Sequence, residues 1–124
     1  MKDAEHMAKL YAVLLSAARK GEPRAYSEVA PVVGLDMSDP NHRLEIGELL
    51  GLISRAEVKE GRPMLSSLII HKTDFASIGE GFYRLAAELG RLNPGEKHED
   101  FLIKEMNATI ARWRPPLVSA TTRG

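Results

Sequence analysis

Six side chains able to do chemistry lie between Gly61 and Phe82: Arg62, Ser66, Ser67, His71, Lys72 and Asp74. A serine beside a histidine would suggest a nucleophile and its base. The run Leu65–His71, with Leu68, Ile69 and Ile70 at its centre, reads as a buried strand. Ser67 and His71 then share a face, but four residues of extended chain hold them too far apart for a direct hydrogen bond. No Gly-x-Ser-x-Gly turn is present to present a serine. The two serines therefore read as buried or edge residues, and no catalytic set is assigned.

Elsewhere, His98, Glu99 and Asp100 form a dense polar cluster. Consecutive positions do not share a helix face, so the cluster is a poor metal site and a good helix N-terminus. No metal and no cofactor is expected. Ile70-His71-Lys72 is similar to the acid-x-lysine strand of metal-dependent nucleases, but the acidic ligand is missing from the strand. Asn41, His42 and Arg43 open a helix, where free amides and the dipole attract phosphate; a solvated first turn is the plainer alternative. Arg62 and Lys72, with Arg55, Lys59 and His71, would make a basic edge beside them, though Glu57, Glu60 and Asp74 are interleaved. Gly79 and Gly81, on either side of Glu80, suggest a loop that needs positive φ or close approach.

The elements that must position these residues are mostly helical. Asp3–Lys20 carries Met7, Leu10, Tyr11, Leu14 and Ala18 at helical spacing and stops at Gly21. Ala25 and Tyr26 form a very short extended piece, and Ser27 caps a short helix containing Val29, Ala30, Val32 and Val33, closed by Gly34. Asp39 caps the next helix, with Pro40 at its first position and its end near Glu57–Glu60. Its buried stripe is Ile46, Leu49, Leu50 and Ile53, widened by Leu44 and Leu52. Gly47 and Gly51 share a face, and a close approach by another element would explain both. A fourth helix starts with Phe82, Leu85, Ala86 and Leu89. A last one runs from about Glu96 to Trp113, with Leu102, Ile103, Met106, Ile110 and Trp113 as its buried side. Residues 114–124 read as a flexible tail to a single domain over residues 1–113.

The resulting fold class is mainly α with a small β-sheet, arranged as a winged helix-turn-helix-like core plus C-terminal helices, with Arg24–Tyr26 and Leu65–His71 pairing as the sheet. Several short motifs carry a family resemblance. Tyr11-Ala-Val-Leu-Leu, Gly21 through Ala25-Tyr26-Ser-Glu-Val-Ala, and Ile46-Gly47-Glu-Leu-Leu50 resemble stretches of the C-terminal domain of DNA alkyltransferases and alkyltransferase-like proteins. The resemblance covers a little over half the chain. It implies a winged-helix scaffold that binds duplex DNA, with Tyr26 at a phosphate. Pro63-Met64 stands nearest the family's Pro-Cys, and a methionine cannot accept an alkyl group as a thiolate does. The family's intercalating arginine falls near Leu44, with Arg43 adjacent.

Composition bounds the partners. Seventeen basic and seventeen acidic side chains cancel in 124 residues, so any nucleic-acid site must be a local patch. There is no cysteine, which removes thiolate catalysis and sulfur-bound zinc and fits a cytoplasmic protein. No apolar run is long enough for a membrane span. Together these point to a non-enzymatic protein binding nucleic acid through Tyr26, Asn41, His42, Arg43, Arg62 and Lys72. The alternatives are a protein-interaction module, self-associating through the last helix or docking a partner on the winged-helix surface, and a small nuclease using His71 and Lys72.

Overall fold

The computed structural model describes residues 2–70 and 80–115. Helix α1 spans Lys2–Lys20, followed by β1 (Arg24–Ala25), α2 (Tyr26–Val29), a 3-10 turn (Ala30–Val33) and α3 (Pro40–Lys59). A second 3-10 turn (Leu65–Leu68), β2 (Ile69–Ile70), α4 (Glu80–Glu88) and α5 (His98–Trp113) complete it. The protein is mainly α with a two-stranded sheet. The strands are parallel, Arg24 against Ile69 and Ala25 against Ile70. Two strands of two residues do not stand alone; the helices around them form the core.

Three local expectations change. The strand expected over Leu65–His71 is a 3-10 turn for its first half, with Ser67 N–H donating to Met64 O (3.1 Å), and His71 lies outside the described residues. The cap of α2 is Ala25 and not Ser27: Tyr26 is already helical, and the Glu28 carboxylate reaches back to accept from the Ala25 amide (2.9 Å). The short helix carrying Val29–Val33 divides after Val29 and continues as a 3-10 turn from Ala30, where Pro31 supplies no amide for an α-type bond.

Helices α1, α3 and α4 end in the same device, and in the last two an arginine follows the glycine. After α3, the Gly61 amide donates to Val58 O and the Arg62 amide to Glu57 O. After α4, the Gly90 amide donates to Ala87 O and the Arg91 amide to Ala86 O. Gly61 and Gly90 have φ of 80° and 77°, the left-handed conformation that this hydrogen-bond pattern demands and glycine adopts without strain. Each of these two reversals delivers an arginine to a buried acid. Arg62 pairs with Glu57 on its own helix, and Arg91 pairs with Glu105 on α5.

The core joins Leu10 and Leu14 of α1, Val29 of α2, Ile46, Leu50 and Ile53 of α3, then Met64, Leu65, Leu68 and Ile69, Phe82 and Ala86 of α4, and Phe101 and Leu102 of α5. Asp39 caps α3 as expected, accepting from the Asn41 amide (2.8 Å) behind Pro40. The stripe Ile46, Leu49, Leu50 and Ile53 is buried, but Leu44 and Leu52, expected to widen it, are 70 % and 55 % exposed. Helix α5 starts at His98, two residues past the approximate start expected at Glu96, and its buried side is Phe101, Leu102, Glu105, Met106 and Thr109. Of the five residues expected there, Leu102 and Met106 are buried, Ile110 and Trp113 are partly buried against the core, and Ile103 faces solvent. Among the described residues no helix is long and apolar enough to cross a membrane.

Candidate nucleic-acid interface and the groove beside it

The first turn of α3 holds three of the expected contact residues, and two of them face the preceding loop. The Asp36 amide donates to His42 Nδ1 (2.9 Å), and His42 Nε2 stands 3.7 Å from Asp39 Oδ2. Arg43 Nη1 donates to Met37 O (2.8 Å). These contacts tie residues 36–39 to the helix they precede. Asn41 is exposed with its amide given to the Asp39 cap.

Asp36 is itself fixed by Ser38, whose amide and hydroxyl both donate to Oδ1 (2.9 and 2.8 Å). These bonds, the backbone one foremost, lower the Asp36 carboxyl below its ordinary value. A lowered folded-state value means a contribution present above the unfolded value and lost as pH falls through the folded one. Replacing Ser38 with alanine removes the hydroxyl bond and leaves the amide bond. The Asp36 titration followed by carbon NMR is expected to move up toward the ordinary carboxylate range; an unmoved titration would show that the hydroxyl contributes nothing.

Arg62 is not available to a basic edge. Its Nε and Nη2 donate to Glu57 Oε1 and Oε2 (2.8 and 3.0 Å), Glu57 is 2 % exposed, and the Tyr11 hydroxyl donates to the same carboxylate (3.0 Å). Burial, then the bond to Glu57, raises the Tyr11 hydroxyl above its ordinary value. The guanidinium also lies over Trp113, 5.7 Å from the ring centroid. Arg55 pairs with Glu88 (2.7 Å). Lys72, His71 and Asp74 lie outside the described residues. Within the described residues, then, the expected basic edge is interrupted by internal pairing.

Ser66 and Ser67 are buried and meet no base. Ser66 Oγ lies 2.6 Å from Ser54 Oγ, which also accepts from the Ser66 amide, and Ser67 Oγ lies 3.2 Å from Thr109 Oγ1. His98 stacks on Tyr83 with ring centroids 4.1 Å apart. Among the described residues no group of three or more histidine or acidic side chains could hold a metal ion.

The solvent face of α3 is where Leu44, Glu45, Gly47, Glu48 and Leu52 emerge. Beside it, between α3, α4 and the start of α2, runs a groove of about 500 Å³. Tyr26 and Phe82 line it together with Leu44, Gly47, Gly51, Ser66, Arg43 and Arg84. Tyr26 and Arg43 therefore meet at one groove, while Arg62 is spent in the Glu57 pair. Gly81 is helical with ordinary φ, while Gly79 and the rest of the expected loop lie outside the described residues.

The sequence reading missed the buried acids Glu57 and Glu105 and the groove residues Glu48 and Arg84. A signal for the acids was present. Glu57 is four beyond Ile53 on the apolar stripe, and Glu105 lies between Leu102 and Met106, so each occupies a core position of its helix. For the groove residues no such signal exists, because they become neighbours only when α4 packs on α3. Comparison of the chain with protein-family models, curated proteins and solved structures finds no match.

Proposed function

We propose that this is a non-enzymatic protein that binds duplex DNA through the exposed face of α3, with Leu44 entering the base stack. The observation carrying this reading is a leucine 70 % exposed near the N-terminus of a helix whose apolar stripe Ile46, Leu49, Leu50 and Ile53 is buried. Apolar side chains of this kind act as wedges between base steps, partly unstacking them. The order α2, turn, α3 supports reading these as a helix-turn-helix pair, in which the second helix meets the duplex. In the alkyltransferase proteins that the chain resembles, the intercalating residue falls near Leu44, so leucine would do here what arginine does there. Arg43 and Arg84 flank the groove next to it and supply positive charge toward phosphate; Tyr26 and Asn41 complete the contact set. Arg62 leaves that set because it neutralises Glu57.

Fluorescence anisotropy with a duplex of about 20 base pairs tests this. Binding is expected at low salt and should weaken steeply as salt rises. Leu44→Ala should weaken it by about 1–2 kcal/mol, roughly tenfold in Kd, without changing the salt slope. Absence of binding at low salt would overturn the reading, since phosphate contacts are strongest there.

A second reading has its own observation. Glu45 and Glu48 share the exposed side of α3 with Leu44 and Leu52, and an apolar face edged with acids suits a protein partner better than a phosphate backbone. Retained monomeric state with no duplex affinity would favour it.

A further inference from the structure

We propose that the groove between α3 and α4 is a binding site for a planar nitrogen heterocycle bearing an exocyclic amine, of the cytosine or adenine type, recognised by Glu48.

The two helix glycines give the first argument. A Cβ built at Gly47 would meet nothing within 4 Å, and one at Gly51 would meet only Leu85 Cδ2, at 3.7 Å. Packing therefore does not require either glycine, although each weakens the helix that contains it. What both do is keep the groove floor low. A volume of about 500 Å³ is within the range of small-molecule sites. Tyr26 and Phe82 on the walls suit a flat ring, which aromatic side chains hold by stacking or edge contact.

The polar groups select the ring. Glu48 lines the groove and forms no ion pair among the described residues. A carboxylate only accepts hydrogen bonds, so it favours an exocyclic amine and repels a carbonyl oxygen at the same place. Arg43 and Arg84, also at the groove, are donors for the ring nitrogen or carbonyl that neighbours the amine in these heterocycles. Ser66 adds a polar atom from the floor. It is 6 % exposed, and its hydroxyl shares a 2.6 Å bond with Ser54 in which either can donate. By rotating together the two hydroxyls can offer a proton or a lone pair.

The heterocycle could arrive as a free nucleoside or as an unpaired base in a strand. Only the strand source rests on the duplex-binding reading. Nitrogen–proton NMR spectra of the protein titrated with cytidine, and separately with uridine, test the free source. Cytidine is expected to shift the amides of Gly47, Gly51 and Gly81, with uridine at least tenfold weaker. The strand source is tested by anisotropy with duplexes carrying one unpaired cytosine or one unpaired thymine, the cytosine duplex binding tighter. Glu48→Gln, an exposed and nearly isosteric change, should reduce the preference for the amine in whichever arm shows it.

Cytidine binding without duplex binding would sustain this proposal and end the duplex reading. Duplex binding with no cytosine preference, and no shifts with cytidine, would overturn this proposal and leave the duplex reading standing. A preference that survives Glu48→Gln unchanged would remove Glu48 as its cause and overturn the assignment.

Discussion

Replacing Glu105 with alanine is expected to destabilise the protein by about 3 kcal/mol, the lower part of the range for breaking a buried ion pair. Glu105 is 1 % exposed and accepts three hydrogen bonds. Arg91 Nη2 donates to Oε1 (2.8 Å), Arg91 Nε to Oε2 (2.9 Å), and the Met64 amide to Oε2 (2.8 Å). The Met64 amide is the costly loss, because Met64 is fully buried and water would not replace the acceptor. Arg91 loses less, since its side chain is 32 % exposed and can turn to solvent; that is the reason for choosing the low end. For a chain of this length about 3 kcal/mol lowers Tm by roughly 10 °C. Urea unfolding should show the midpoint falling at constant slope. Glu105→Gln keeps an acceptor for the amide and should lose about half as much. If alanine and glutamine variants were equally stable, the Met64 bond would not be the source of the effect.

Truncating Phe101 to alanine is expected to cost about 3–5 kcal/mol, the range for a buried aromatic replaced by a cavity. Phe101 is fully buried and packs against Phe82 with centroids 5.9 Å apart, and Phe82 in turn meets Tyr83 edge-on at 5.2 Å. Removing the first ring loosens the contact between α5 and α4 that the other two extend. The comparison that gives this meaning is Ile103→Ala two residues on, which should change stability by no more than about 0.5 kcal/mol because Ile103 is on the solvent side. Chemical denaturation of both variants suffices. A large loss at Ile103 with a small one at Phe101 would place the buried side of α5 where hydrophobicity alone puts it.

That comparison shows why one helix was legible and another was not. On α3 the apolar residues Ile46, Leu49, Leu50 and Ile53 agree with the cap at Asp39–Pro40, and the element is where these signals place it. On α5 hydrophobicity points to Ile103, while the structure buries Glu105 and Thr109. The reason is the segment opposite: Met64 brings a backbone amide and a carbonyl into the core, and both need partners. Glu105 accepts from the amide, and the Thr109 hydroxyl reaches the carbonyl at 3.2 Å, its proton shared with the nearer Glu105 carbonyl at 2.8 Å. The helix is turned to satisfy that backbone, at the expense of exposing an isoleucine.

The candidate site divides in the same way. Tyr26, Asn41, His42 and Arg43 were named from residue type and from their place at a helix start, and the structure sets Tyr26 and Arg43 at one groove. His42 and Arg43 nevertheless hold residues 36–39, a role that no local pattern announces. Arg62 looked like a surface cation because its neighbours in sequence are polar and glycine-rich. A reversal at Gly61 folds it back on Glu57 instead.

The sequence alone determined the mainly helical class, the order of the helices and the stops at Gly21 and Gly34, because caps, glycines and apolar spacing act within a few residues of chain. It also excluded thiolate chemistry, because no cysteine is present. Tertiary structure decided which apolar residues stay outside, which charges are neutralised in the core, and that α3 and α4 leave a groove beside Leu44. Those outcomes depend on pairs far apart in sequence, Arg91 with Glu105, Met64 with Thr109 and Gly51 with Leu85. Burial, charge pairing and cavity shape are properties of such pairs, and the periodicity of a single segment does not contain them.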